Sequence, residues 1–323
     1  MSHMNNSALK ITGTFIDEVS HDIPSWNWGE DEWDKDFAAM KAIGIDTVVM
    51  IRCGSERWTA YPSKVLEKHE NAYRPPDDLI ALYLRLAEKH GMKFFCGTYH
   101  ANRDWLSAAY NVTKEADLMK SVCDEIWSKY GNSPAFGGWY LSQEIAGRCS
   151  FNVVKCFQIL GKHCHEISNG LPTFISPGIE GSNTGSRRNL PKGQRKKLSV
   201  TPEEHYSDWD WIMGEIKGAV DIVSFQNAHV TFEEMPDFMA INKKLADKHG
   251  LTSWTNLESF DICTPSLPPI KWQQMLMKME FAKNVGFEKA ITFEFSHFMS
   301  PNSCYPQAGN LYKRYCEHFG VKI

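Results

Sequence analysis

The stretch "DDLIALYLRLAEKHGMKFFCGTYH" (77–100) contains one complete helix-to-strand step. Between Leu79 and Ala87 apolar residues recur at spacings of three and four, which is one face of a helix, and Gly91 follows as a residue able to take a left-handed C-cap. Then "KFFCGTYH" (93–100) reads as a short buried strand that ends in a polar side chain, His100. The same step recurs along the chain. "FAAMKAIG" stops at Gly44 and "MAINKKLADKHG" at Gly250. Seven further candidate strands are "ITGTFIDE" (11–18), "TVVMIRCG" (47–54), "FGGWYLSQE" (136–144), "TFISPGIE" (173–180), "DIVSFQNAH" (221–229), "TSWTNLESF" (252–260) and "AITFEFSHF" (290–298).

Strands alternating with amphipathic helices call for parallel pairing through crossover helices. Eight such units fit a closed (β/α)8 TIM barrel, an α/β fold, better than an open doubly wound sheet. No GxGxxG follows the first strand, as a dinucleotide-binding sheet would require. The expectation is a single barrel domain over residues 11–323, preceded by a tail at 1–10 in which Met1–His3 read as a tag remnant before Met4. The segment "GSNTGSRRNLPKGQRKKLSV" (181–200) has no core pattern and is expected to form a long loop after the fifth strand.

The chain has 323 residues, 42% hydrophobic and 23% charged, with a net charge of −4, so its overall charge gives no reason to expect nucleic acid or an anionic membrane as partner. No apolar run reaches the length of a membrane span. Nine cysteines, several inside apolar segments, read as reduced core residues of a cytoplasmic protein; the alternative is an exported protein whose signal peptide has been removed. The "HCH" of His163–His165 is expected to be structural, because consecutive helical residues point about 100° apart. No cofactor and no metal is expected, and the oligomeric state stays open.

In a barrel of this kind function gathers at the C-terminal ends of the strands. Those ends present Asp17 and Glu18 with His21 nearby, Arg52, His100, Gln143 and Glu144, Glu180, Gln226 with Asn227 and His229, Asn256 and Glu258, and Glu294 with His297. Along a strand, side chains alternate, so Glu144 shares a face with Tyr140 and Glu258 with Trp254. If both faces point inward, two carboxylates meet across the mouth, the arrangement that cleavage of a glycosidic bond requires. Glu144 would then be the acid/base, and Glu258 would attack the anomeric carbon or activate water.

"GWYLSQE" and "WTNLESF" resemble the two catalytic strands of the retaining clan A glycoside hydrolases, whose acid/base follows strand four and whose nucleophile follows strand seven. The resemblance implies that Arg52 and His100 support the nucleophile and the sugar. Gln143 stands where that clan usually has Asn. "ITGTFIDEVSHDIPSWNWGEDEWDKDFAAMKAIGIDTVVMIR" and "FEFSHFMSP" are similar to a family of glycosidase-like TIM barrels of unassigned activity, over nearly the whole chain. A carbohydrate substrate is the implied partner. Its candidate contacts are Asp17, Arg52, His100, Gln143, Asn227, His229, Asn256 and Glu294, with Trp26, Trp28, Trp58 and Trp105 offering flat faces to sugar rings. Two rival readings are a metal-dependent sugar isomerase or epimerase, using Glu144, Glu180, His229, Glu258 and Glu294, and a carbohydrate-binding barrel without catalysis.

Overall fold

The computed structural model describes residues 8–20, 23–101, 111–147, 151–184, 199–262 and 267–322. Eight parallel strands close into a barrel, flanked by helices. In chain order the strands are β1 (Ile11–Ile16), β2 (Thr47–Met50), β3 (Gly54–Ser55), β4 (Trp58–Thr59), β5 (Lys93–Gly97), β6 (Tyr99–His100), β7 (Phe136–Tyr140), β8 (Thr173–Ile175), β9 (Ile222–Gln226), β10 (Thr252–Asn256) and β11 (Lys289–Thr292). The barrel runs β1-β11-β10-β9-β8-β7-β5-β2, while β4, β3 and β6 form a small separate sheet. The α/β barrel read from the sequence is therefore the fold observed.

Alternation along each strand divides the core in two. Phe15, Val49, Ile51, Phe95, Tyr140, Phe174, Ile222 and Ile291 fill the barrel interior, with Trp254 and Phe293 packed against them. Their neighbours Ile16, Val48, Met50, Phe94, Cys96, Trp139, Leu141, Ile175 and Val223 point outward against the helices. The helix Leu79–His90 begins at Asp78, whose side chain accepts from the Ala81 amide, and ends at Gly91 with φ +63°. Where β2 and β5 leave the barrel they approach closely. A Cβ on Gly97 would come within 2.3 Å of the Met50 carbonyl oxygen, so only glycine fits there.

Several expected strands are shorter than their apolar runs, because once ladder pairing stops the chain turns into rim loops. The eighth differs most. It ends at Thr292, and Phe295–Phe298, read as strand, is a helical turn whose N-cap is Glu294. The run "AITFEFSHF" is apolar throughout because both the strand and the turn are buried, so hydrophobicity alone could not divide it. Of the loop expected at 181–200, residues 185–198 lie outside the described residues, as do Met1–His3, His21 and Trp105. The seven described cysteines that are free include six that are buried. His163 and His165 face Asp124 and Asp221 at 2.8 and 2.7 Å, the structural role expected of them. Among the described residues no helix is long and apolar enough to cross a membrane.

Candidate active site

At the C-terminal mouth a cavity of about 100 Å³ is walled by Phe15, Ile51, Tyr140, Phe260, Leu267 and Phe293, with Glu144, Gln226, Asn256 and Glu258 supplying its polar groups. Tyr140 and Trp254 lie in the barrel interior, so the faces they share with the two glutamates point inward. Glu144 follows β7 and Glu258 follows β10, strands separated by two others on the ring, so the acids approach the cavity from different sides.

Their surroundings differ. The Glu144 side chain is 33% exposed, with the guanidinium of Arg52, itself buried, at 3.9 Å. Glu258 is 2% exposed. Both of its carboxylate oxygens accept from the Asn227 amide, at 2.9 and 3.0 Å. Burial raises the Glu258 carboxyl above its ordinary value, opposed by the Lys278 ammonium and by the backbone donors. That ammonium donates to the Glu258 carbonyl oxygen at 3.0 Å and lies 4.0 Å from Oε2. Arg52, which the resemblance implies supports the nucleophile, lies beside Glu144, and the cation beside Glu258 is Lys278.

Asn256 is held in place on both sides of its amide, donating to Ser176 Oγ at 3.3 Å and accepting from the Phe293 amide at 3.1 Å. Gln226, from β9, donates to the Ser176 carbonyl at 2.8 Å. Other candidate contacts lie away from the cavity lining. The Gln143 amide nitrogen sits 3.4 Å from Met119 Sδ, on the helix side of the barrel wall. The Asp17 carboxylate accepts from the Val19 and Ser20 amides of its own loop. Asn227 meets Glu258 through its main chain, and its side chain is buried. His100 is buried in β6, next to Ser55 of β3, and His229 is half-buried beyond β9.

Glu294 accepts from the Ser296 and His297 amides and from His297 Nδ1, and the other ring nitrogen of His297 meets the Pro24 carbonyl at 2.9 Å. Its buried partner is thus the His297 imidazole. Trp26 stacks on Trp28 with centroids 4.3 Å apart and packs at a tilt against His297 at 4.2 Å, so the β1 loop is fastened to the helical turn after β11. Trp58 is 54% exposed and stands over a larger neighbouring groove. Among the described residues no three His, Cys, Asp or Glu side chains converge as a metal site.

One signal for Lys278 was present in the sequence. In the helix Trp272–Val285 the buried residues are Met275, Lys278, Met279 and Ala282, so the lysine falls on the apolar stripe. A charge at that position needs a buried partner, and Glu258 provides one.

A protein of Bacteroides thetaiotaomicron described provisionally as an alpha-L-fucosidase shares 48% identity, with a TM-score of 0.91 over 98% of this chain and 95% of that one. The endo-1,4-beta-D-mannanase of Thermotoga petrophila matches at TM-score 0.59 and 12% identity, over 95% and 99% of the two chains. An intracellular xylanase of Thermoanaerobacterium saccharolyticum matches at 0.52 and 14%, over 90% and 87%. The last two likenesses are likenesses of fold, to TIM-barrel glycoside hydrolases. No curated protein sequence matches this chain. Residues 11–305 match the domain of unknown function DUF4434, and the chain, a glycosidase-like TIM barrel throughout that span, belongs to that family.

Proposed function

We propose that the protein is a retaining glycoside hydrolase. The observation that carries this reading is the pair Glu144 and Glu258, brought from β7 and β10 to one cavity at the barrel mouth. In the first step a Glu258 carboxylate oxygen bonds to the anomeric carbon while the bond to the leaving oxygen breaks, and Glu144 gives that oxygen its proton. In the second, Glu144 takes a proton from water, whose oxygen displaces Glu258 from the sugar. The retaining course calls for carboxyls about 5 to 5.5 Å apart. Exposure supports the division of roles, since an acid/base must exchange protons with water and leaving group, and Glu144 is a third exposed where Glu258 is closed off. The relative described provisionally as an alpha-L-fucosidase makes an α-L-fucoside the first substrate to try.

A second assignment, with the roles exchanged, is favoured by the raised Glu258 carboxyl and by the guanidinium beside Glu144. Azide separates the two. Aryl α-L-fucoside, β-D-mannoside, β-D-xyloside and β-D-galactoside are assayed with wild type, Glu144→Ala and Glu258→Ala. We expect turnover of at least one glycoside, azide rescue of Glu144→Ala with an activated leaving group, and loss of about 10⁴-fold or more in Glu258→Ala. Rescue through a glycosyl azide of retained configuration in Glu258→Ala instead would exchange the roles. Wild-type rates left unchanged by both substitutions would end the hydrolase reading.

A further inference from the structure

Beside the catalytic cavity lies a groove of about 840 Å³, formed by the loop after β1 and the segments around β4 and before the helix Leu79–His90. Trp28, Trp58, Tyr73, Pro75 and Pro76 give it flat apolar faces, and Glu18, Asn27, Arg74 and Asp77 stand among them. Trp58 and Tyr73 are 54% and 45% exposed, two of the three large hydrophobic side chains exposed among the described residues, and their rings lie 4.9 Å apart. Aromatic surface displayed in one place marks a binding face.

The platform is held before any ligand arrives. The Arg57 guanidinium lies 4.1 Å over the Tyr73 ring and donates from Nε to the Asn71 carbonyl at 2.8 Å. The Tyr73 amide donates to the Arg57 carbonyl, also at 2.8 Å. Fixed rings lose little conformational freedom when a partner stacks on them.

Size and continuity indicate what stacks there. Small-molecule sites run to roughly 300–1,000 Å³. The catalytic cavity, at about 100 Å³, is well below that range and the groove is within it. The wall between them is a single apolar cluster: Ile23, which lines the groove, packs with Phe260 and Phe293, which line the cavity. Indole and phenol faces beside carboxylates, an amide and a guanidinium suit pyranose rings, which have apolar C–H faces and hydroxyl rims.

We propose that the groove binds further sugar units of the substrate, so that the protein acts on oligosaccharides or glycan chains. This inference rests on the glycoside hydrolase reading for the cavity, but its test is one of binding. Calorimetry on the full-length Glu258→Gln protein compares cello-, manno- and xylotetraose and 2′-fucosyllactose, each with its own monosaccharide. At least one chain is expected to bind about tenfold or more tightly than its monosaccharide, and Trp58→Ala/Tyr73→Ala is expected to abolish that preference. Both side chains are about half exposed and their contacts lie at the surface, so the double variant should stay folded with a Tm lowered by only a few degrees at most, and this is checked. A preference that survives the double variant, or no chain binding better than its monosaccharide, would overturn the proposal. So would sedimentation showing a wild-type dimer that the double variant dissociates, since the groove would then be an interface between copies. Chain-length preference in a protein that turns over no glycoside would sink the hydrolase reading and leave the groove as the binding site.

Discussion

The Lys278 ammonium lies 4.0 Å from a carboxylate oxygen of Glu258 and donates to that residue's carbonyl at 3.0 Å, with both side chains almost wholly buried. Removing one member of a buried pair leaves the other uncompensated. Burial already raises the Glu258 carboxyl, and the lysine opposes it. Lys278→Met should therefore raise that carboxyl further, moving the acid limb of the kcat/KM profile upward by about one pH unit or more. Lys278→Arg should restore most of the wild-type profile. An unmoved acid limb in a folded Lys278→Met protein would remove the lysine from the electrostatics of the site.

Glu258→Gln tests the cost of that burial. A carboxyl raised in the folded state contributes stability that is present below its unfolded value and lost as pH rises through the folded one. The variant, with nothing to ionise, should match the wild type near pH 4 and melt higher at pH 8, by about 2–4 °C for each kcal/mol recovered. Thermal scans at the two pH values check the sign.

Asp36 makes a similar prediction outside the pair of glutamates proposed as catalytic. It is fully buried, bonded to Ser300 and Asn302, and burial pushes its carboxyl up to about 6. Its stabilisation is therefore lost as pH rises through about 6. Asp36→Asn should be neutral near pH 4 and stabilising at pH 8, by at most about 3 kcal/mol. Destabilisation at both pH values would show that the hydrogen bonds outweigh the buried charge.

Glu294→Gln weakens both a helix cap and the pair with His297. The His297 imidazole feels burial most, which lowers it, but the Glu294 bond and charge reverse the balance and leave it raised. A raised histidine stabilises fully below its unfolded value and loses that contribution as pH rises through the folded one. The Tm deficit of Glu294→Gln should thus be larger at pH 5.5 than at pH 9, with about 1–2 kcal/mol from the cap remaining throughout. Equal deficits would leave only the cap.

The barrel was legible because period-two strands, helical stripes and terminal glycines agreed over the whole chain. Tyr140 and Trp254 face the barrel interior, and parity along a strand assigns Glu144 and Glu258 to those same faces. Ladder pairing in β7 ends at Tyr140, yet the alternation runs on: Gln143, on the face opposite Tyr140 and Glu144, turns its amide outward to Met119. Arg52 lies 3.9 Å from Glu144, and which acid it meets depends on loop geometry that no local pattern encodes. Lys278 lies on a helix and not at a strand exit, although its place among Met275, Met279 and Ala282 marks it as inward.

The small sheet of β3, β4 and β6 separates two jobs. β3 pairs with both β4 and β6, so Trp58 and His100 are borne on a bracket bolted to the ends of β2 and β5, outside the ring that closes the barrel. Evolution or an engineer can lengthen, trim or transplant the hairpin around Trp58 without reopening the ring. The proposed chemistry would then stay fixed while the proposed sugar groove drifted, and divergence within the family is expected to concentrate in that bracket.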